Sequence, residues 1–288
     1  MLTNRIAESI LIGMIRLFNS RNQVFKLVPS NKKYKPGTMR RVSRRGFRYE
    51  LDLSDYQEWL VYFYCKSDSS DYLLHYLGKS TIILDVGAKI GQTAFNMIRT
   101  QQKKGLNPVV HAFEPYPRTF DKLETNRKLN PEAPLKTYNL GLGTQKGTLH
   151  MAQHSPLNSG GFRMTDSVEN SVSVAVTSID DFVVENGIST IDFIKIDVEG
   201  FEVQVIEGAK KTLEAFRPVL VFEYSLQNIR NQNGNIEEIL TYLTDLNYRV
   251  ATKEGISALE SILALDYQTD LICSPQLQPG TNHPHNFL

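Results

Sequence analysis

The residues in this chain that could do chemistry sit at the ends of apolar runs. Asp85-Val86-Gly87-Ala88-Lys89-Ile90-Gly91 closes the run that starts at Ile82. Glu114-Pro115 closes residues 108–113, and Asp197-Val198-Glu199-Gly200-Phe201-Glu202 closes residues 191–196. Glu223 ends another apolar run, residues 218–222. A strand, a glycine turn, a helix and then an acid at the next strand end is an arrangement that places a carboxylate on ribose hydroxyls. Glu114 stands at that position.

The glycines narrow the ligand. A dinucleotide fingerprint starting at Gly87 needs glycines at 89 and 92, where this chain has Lys89 and Gln92. Close backbone approach to a pyrophosphate is therefore missing. The turn suits a nucleoside without phosphates but with a charged amino-acid end, for which Asp85 accepts from an ammonium group. S-adenosylmethionine is such a ligand. On this reading Gly87 lets the chain turn with positive φ, and Gly91 lets the helix start lie close to strand or ligand. The competing reading is a structural βα turn that binds nothing. A second glycine-containing stretch, Gly78-Lys79-Ser80-Thr81, matches the tail of a phosphate-binding loop. It lacks the glycine five residues earlier and precedes a strand, so it is rejected.

The elements that must position these groups follow from periodicity and punctuation. Strands are expected at 82–86, 108–114, 135–140, 191–197, 218–224, 248–251 and 270–273, with helices over 92–102, 117–129, 203–216 and 235–247. Pro117 fits a first helical turn, and Ser178 fits the cap of a short helix. Residues 47–53 alternate apolar and polar as a half-buried strand does. Residues 56–64 are dense in aromatics and include Trp59, a pocket wall or simply core; residues 71–77 read as a helix. Residues 147–153 begin a hairpin, and residues 154–171, rich in Gly and Ser, have the composition of a mobile loop before a strand at 172–176. In open parallel sheets ligands sit beyond the carboxyl ends of the strands, so the acids at 197–202 and the turn at Gly87 share one mouth. The strand end at Asn139 and Gly141 belongs beside an adenine.

Composition sets the outer limits. The 288 residues are 41% hydrophobic and 22% charged, ordinary for a soluble domain. Two distant cysteines, Cys65 and Cys273, without metal-ligand spacing, indicate neither a disulfide framework nor a zinc site and fit a reducing compartment. The net charge of +1 conceals an asymmetry: residues 1–49 carry twelve Lys/Arg and one acid, Glu8. Residues 5–18 read as a short helix with an apolar face of Ile6, Ile10, Leu11, Met14, Ile15 and Phe18. It is too short to span a bilayer and lacks the form of a signal peptide. It either packs on the domain, as a lid or in a homo-oligomer, or lies in a membrane surface with the basic residues behind it. The expected domains are a basic extension at 1–50, a catalytic domain at 51–275 and a loose tail at 276–288.

With these pieces placed, the chain resembles the FkbM family of S-adenosylmethionine-dependent methyltransferases. The resemblance rests on Leu84–Gly91, Phe113-Glu114-Pro115, Asn139–Gly143, Ser178-Ile179-Asp180-Asp181, Ile191–Glu202, Gly208-Ala209, Arg217-Pro218, Phe222-Glu223 and Asp270-Leu271-Ile272. Lys195-Ile196-Asp197-Val198-Glu199-Gly200-Phe201-Glu202 is the specific part. The resemblance implies an α/β class I methyltransferase fold, a Rossmann-like doubly wound sheet of seven strands, and methylation of hydroxyl oxygens, often on sugars or natural products. One departure is Lys89, where the family commonly has asparagine, and it bears on the hydrogen bonding around the methionine end.

The cofactor-facing set is then Asp85, Gly87, Ala88, Gly91, Thr93, Glu114, Pro115, Asn139 and Gly141. Methyl transfer from a sulfonium is an in-line displacement that depends on alignment, and an aliphatic hydroxyl needs a group to take its proton. Asp197 is the first candidate for that base or for orienting the hydroxyl. Glu199 positions it or binds substrate, Glu223 is a second acid on a neighbouring strand, and His154 in the loop is the runner-up. Glu199 and Glu202 could instead cap the following helix. No oxygen-ligand loop accompanies Asp197 and Glu223, so a metal-free site is expected. The acceptor is a small molecule or glycan hydroxyl. Nucleic-acid bases are disfavoured because Asp197-Val198-Glu199-Gly200 is not an aromatic-flanked Asn/Asp-Pro-Pro motif. The alternatives are a non-catalytic cofactor-binding or membrane-associated module and, less favoured, an NAD-dependent oxidoreductase. The location expected is the cytoplasm, with or without contact to the inner face of a membrane through residues 1–50.

Overall fold

In the computed structural model, residues 5–18, 25–63, 71–153, 162–165 and 169–276 are described. The chain opens with helix α1 (Arg5–Phe18), the hairpin strands β1 (Met39–Arg44) and β2 (Phe47–Asp52), and α2 (Tyr56–Phe63). Then come β3 (Ile82–Val86), α3 (Gln92–Lys103), β4 (Val109–Phe113), α4 (Pro117–Leu129) and β5 (Leu135–Tyr138). Four strands follow: β6 (Gly141–Leu142), β7 (Gly147–Gln153), β8 (Phe162–Thr165) and β9 (Ser171–Thr177). The remainder is α5 (Ile179–Glu185), β10 (Phe193–Ile196), α6 (Glu202–Glu207), α7 (Lys210–Phe216), β11 (Val219–Tyr224), α8 (Leu226–Asn231), α9 (Ile236–Asp245), β12 (Tyr248–Thr252), α10 (Leu259–Leu263) and β13 (Thr269–Pro275).

Seven of these strands form one sheet in the order β12-β13-β11-β10-β3-β4-β5. β13 runs antiparallel to both its neighbours, while the pairs from β11 to β5 are parallel. The strand order reverses between β3 and β10, which leaves a crevice beyond their carboxyl ends. Strand alternation sends Leu84, Val86, Ile194, Ile196, Leu220 and Phe222 into one core. Their neighbours Ile83, Phe193, Val219 and Val221 enter the other. A parallel sheet buried on both faces is the reason its strands read as nearly continuous apolar runs.

The second core changes the view of residues 1–50. Ile12, Val28, Tyr34, Phe47 and Tyr49 pack in the same cluster as Phe95, Ile98 and Val110. Phe47 and Phe95 have ring centroids 4.7 Å apart. The expected boundary at residue 50 falls inside β2, whose partner β1 lies wholly in the supposed extension. Helix α1 also turns a different face inward. Glu8, Leu11 and Ile12 are buried, whereas Ile6 and Ile10 are 69% and 58% exposed. Glu8 accepts from Arg40 Nε at 2.8 Å and Nη2 at 3.1 Å and from the Tyr62 hydroxyl at 3.2 Å. Among the described residues no helix is long and apolar enough to cross a membrane.

Other expectations need correction. Residues 71–77 form a 3-10 helix rather than an α-helix. The helix expected over 203–216 is two, because the chain breaks at Gly208, where a Cβ would lie 1.9 Å from the Gly143 carbonyl oxygen. The span 154–171 is not all loop, since Phe162–Thr165 pairs antiparallel with β7 in a four-stranded sheet ordered β6-β9-β7-β8. Of the two readings of residues 56–64, Trp59 follows the core one, buried with its Nε1 donating to the Pro29 carbonyl at 2.9 Å. The tail from 277 lies outside the described residues.

Candidate functional site

Gly87 sets the spacing of the crevice. Its φ is +79°, and a Cβ there would lie 1.9 Å from the Asp197 carbonyl oxygen. Any side chain would push the ends of β3 and β10 apart. Beyond Gly87 the chain is tied to β4, because the amides of Gly87 and Ala88 both donate to the Phe113 carbonyl, at 3.0 and 2.9 Å. That junction brings Glu114 against the turn. Its Oε2 accepts from the Lys89 amide and its Oε1 from the Tyr116 amide, each at 3.0 Å. A carboxylate offers about four acceptor positions, so two of them orient the group and others are left for a ligand in the cavity that Glu114 lines. Burial pushes the Glu114 carboxyl up to about 7, against the two amides that stabilise its charge.

Two cavities meet at this turn. The smaller, about 560 Å³, is walled by Phe113, Leu140, Leu142, Met151, Met164 and Phe201, with Glu114, Pro115 and Gly141 also on its lining. The larger, about 1590 Å³ and open to solvent, is lined by polar groups that include Thr93, Lys195, Glu223, Lys253, Gln268 and Asp270. Gly87, Lys89, Asp197 and Glu199 belong to both. An apolar slot with one fixed carboxylate at its edge complements an adenosine, and a charged wall beside it complements an amino-acid end.

The charges on the wall are interlocked. Lys195 pairs with Asp85 at 3.3 Å and with Asp197 at 3.4 Å, and its Nζ donates to the Gly87 carbonyl at 3.2 Å. Lys89 pairs with Asp197 at 3.3 Å and with Glu199 at 3.7 Å. Burial would raise the Asp197 carboxyl, but Lys195 and Lys89 outweigh it and hold the group well below the usual carboxylate range. Glu223 is the opposite case. Burial, with Asp197, Glu199 and Glu202 nearby, pushes it up to about 8. Its Oε1 accepts from Gln268, whereas Oε2 is buried with no hydrogen-bond partner. Asp270 stands directly across the strand pair from Glu223.

Several expected site residues lie elsewhere. Asp85 is fully buried behind Lys195 and lines neither cavity, so it is shielded from any ligand ammonium. Gly91 approaches neither strand nor crevice; a Cβ there would sit 2.7 Å from Leu123 Cδ1 on α4. Asn139 supports Glu114 from behind, its Nδ2 donating to the Glu114 and Pro115 carbonyls at 2.9 Å each. Ala88 and Thr93 line the larger cavity, Pro115 and Gly141 the smaller. Asp197, Glu199 and Glu223 converge on the larger one. Glu202 is structural, its Oε1 accepting from the amides of Val198 and Gly200 at 3.0 and 3.2 Å. His154 lies outside the described residues, and among the described residues no group of three or more His, Cys, Asp or Glu could hold a metal ion.

Sequence reasoning missed Lys195, Lys89 as an ion-pairing group, and the apolar walls. Lys195 did leave a signal: a lysine inside an otherwise apolar strand must find acids. Met151 and Met164 left none, because they reach the slot from the small sheet.

The family model for the methyltransferase FkbM domain matches residues 85–250, more than half of the chain. The hexuronic acid methyltransferase AglP of Haloferax volcanii is 30% identical over 151 residues, covering 52% of this chain and 58% of AglP. The 2-O-methyltransferase NoeI of Sinorhizobium fredii is 26% identical over 194 residues, 61% of this chain and 76% of NoeI. The crystal structure of methyltransferase FkbM from Methylobacillus flagellatus KT is 20% identical, aligned over 68% of this chain and 44% of that one, with a TM-score of 0.44. The chain thus spans little more than half of AglP and less than half of the crystallised chain.

Proposed function

Because this chain belongs to the FkbM methyltransferase domain family, we propose that it transfers a methyl group from S-adenosylmethionine to a hydroxyl oxygen of a sugar, glycan or related natural product. The observation that carries the reading is the pair of cavities joined at Gly87, Lys89, Asp197 and Glu199. One suits a nucleoside and the other a polar acceptor. The names of AglP and NoeI, a hexuronic acid methyltransferase and a 2-O-methyltransferase, support an acceptor rich in hydroxyls.

Bound across the shared wall, S-adenosylmethionine would supply an electrophilic methyl group on a sulfonium. Glu114 would accept from the ribose hydroxyls, and Leu140, Met151 and Phe201 would exclude water from the base. In the larger cavity an acceptor hydroxyl must lose its proton as the new bond forms. Asp197, held ionised by two lysines, is a weak proton acceptor, and its role on this reading is to orient the hydroxyl. Glu223 is better matched, with a carboxyl pushed up to about 8 and one oxygen, Oε2, without a hydrogen-bond partner in a residue that lines the same cavity.

Calorimetry with S-adenosylhomocysteine and with NAD, followed by methyl transfer from labelled S-adenosylmethionine to a panel of sugars and glycans, tests the reading. Binding of the homocysteine ligand alone and label on a sugar hydroxyl are expected. No binding of that ligand, or preference for NAD, would overturn it.

A further inference from the structure

We propose that Lys89 is the counter-ion for the carboxylate of the cofactor's methionine end, an inference that rests on the methyltransferase reading. The wall between the two cavities is otherwise acidic where it carries charge toward both, through Asp197 and Glu199. A ligand carboxylate crossing it would be repelled unless a cation met it there. Three lysines border the larger cavity. Lys195 is 7% exposed and committed to Asp85 and Asp197. Lys253 pairs with Asp270 at 3.4 Å, away from the shared wall. Lys89 lines both cavities.

The local backbone directs it there. Lys89 has φ +51°, in the left-handed region that a long side chain seldom adopts. Its amide is held in place by the Glu114 carboxylate at 3.0 Å. The strain is thus maintained by the group assigned to the ribose. Just beyond, Gly91 caps the start of α3 without a side chain, and Gln92 and Thr93 of the helix's first turn line the same cavity. Lys89 and these first-turn residues form one positive corner.

The ion pairs then exchange rather than vanish. The ammonium of Lys89 moves from Asp197 and Glu199 to the ligand carboxylate. Asp197 keeps Lys195, and Glu199 is left to face the ligand's own ammonium, so every charge keeps a partner. Lys89 would in this way select the complete amino-acid end over ligands that lack the carboxylate.

Calorimetry with S-adenosylmethionine and with decarboxylated S-adenosylmethionine, which keeps both positive charges, tests this on the full chain. The wild type should prefer the complete cofactor by about tenfold or more, the size of one charge-assisted contact. Lys89→Gln should lose that preference, binding the complete cofactor more weakly and the decarboxylated one equally or better. Lys89→Arg should keep it. 5′-Methylthioadenosine, which has no amino-acid end, should bind Lys89→Gln as it binds the wild type. If that control is lost, Lys89→Asn, which tolerates the left-handed backbone, supplies the neutral variant under the same criterion. A neutral variant that keeps the preference overturns the proposal, as does a wild type that binds both cofactors equally. A wild type that binds neither overturns the methyltransferase reading, and this inference with it.

Discussion

Glu223 and Asp197 share a cavity on adjacent strands, and their surroundings drive their protons apart. Pairs of acids separated in this way divide the work of orienting and accepting. Glu223 accepts a proton only when ionised, so single-turnover methyl transfer should rise with pH through about 8 and level off above it. Glu223→Gln should flatten that limb and slow transfer by about 10²–10⁴-fold, while S-adenosylhomocysteine binding stays near the wild-type value. A variant that keeps the limb would remove Glu223 from the proton path. Glu114 makes a separate prediction. Glu114→Ala removes the acceptor for two buried amides as well as the ribose contact. Affinity for S-adenosylhomocysteine should fall by about ten- to a hundredfold in calorimetry.

At the scale of elements, the site depends on how closely strand ends and turns approach. Gly87→Ala combines a left-handed backbone with a contact to the Asp197 carbonyl that cannot be relieved by a side-chain rotation. It should cost about 3 kcal/mol or more in urea unfolding and abolish binding of S-adenosylhomocysteine. Helix α1 is held by chemistry unusual for an amino-terminal segment. Glu8 is fully buried, and Arg40 and Tyr62 supply its partners. Glu8→Ala leaves the partly buried Arg40 guanidinium without its counter-ion and removes the acceptor for the Tyr62 hydroxyl, at a cost of about 2 kcal/mol or more. Replacing both Glu8 and Arg40 with Met should recover most of that loss, and thermal unfolding of the three variants checks it. If the double variant is as unstable as Glu8→Ala, the pairing explanation is wrong.

The whole molecule is a sheet with two covered faces, and the amino-terminal segment helps to cover one. Residues such as Val28, Tyr34, Tyr49 and Leu53 close the core over Phe95 and Ile98. Deleting residues 1–54 would expose that surface, and large uncovered apolar patches drive association. The shortened chain should lose cooperative thermal unfolding and elute as aggregate in size exclusion, whereas the full chain should not. A soluble, cooperatively folding fragment would show that the segment is dispensable. The same arrangement limits the basic charge of residues 1–49 as a guide to function, because Arg40 is spent on a buried acid within the protein.

What the sequence determined by itself was local and periodic. Apolar runs closed by glycine or acid marked β3, β4, β10 and β11 and put Gly87, Glu114, Asp197 and Glu223 at strand ends, because side-chain alternation and the need to bury both sheet faces are written along the chain. Pro117 and Ser178 marked helix starts through backbone chemistry that is equally local; the Ser178 side chain accepts from the Asp181 amide at 3.0 Å. Only the tertiary structure decided where charges ended. Asp85 and Lys195 lie opposite each other in register across two strands far apart in sequence, so one buried acid was already neutralised and removed from the site. β1 lacked a periodic signal because just one of its interior positions, Val42, is aliphatic, and its pairing with β2 and ion pairs from Arg40 and Arg41 hold it. Lys89 could be read as a departure from an expected residue, but its position between two cavities and two acids exists only when four strand ends meet. Within a helix the spacing of Glu124 and Arg127 does encode their ion pair, but partners on different strands are chosen by three-dimensional distance, which no spacing along the chain encodes.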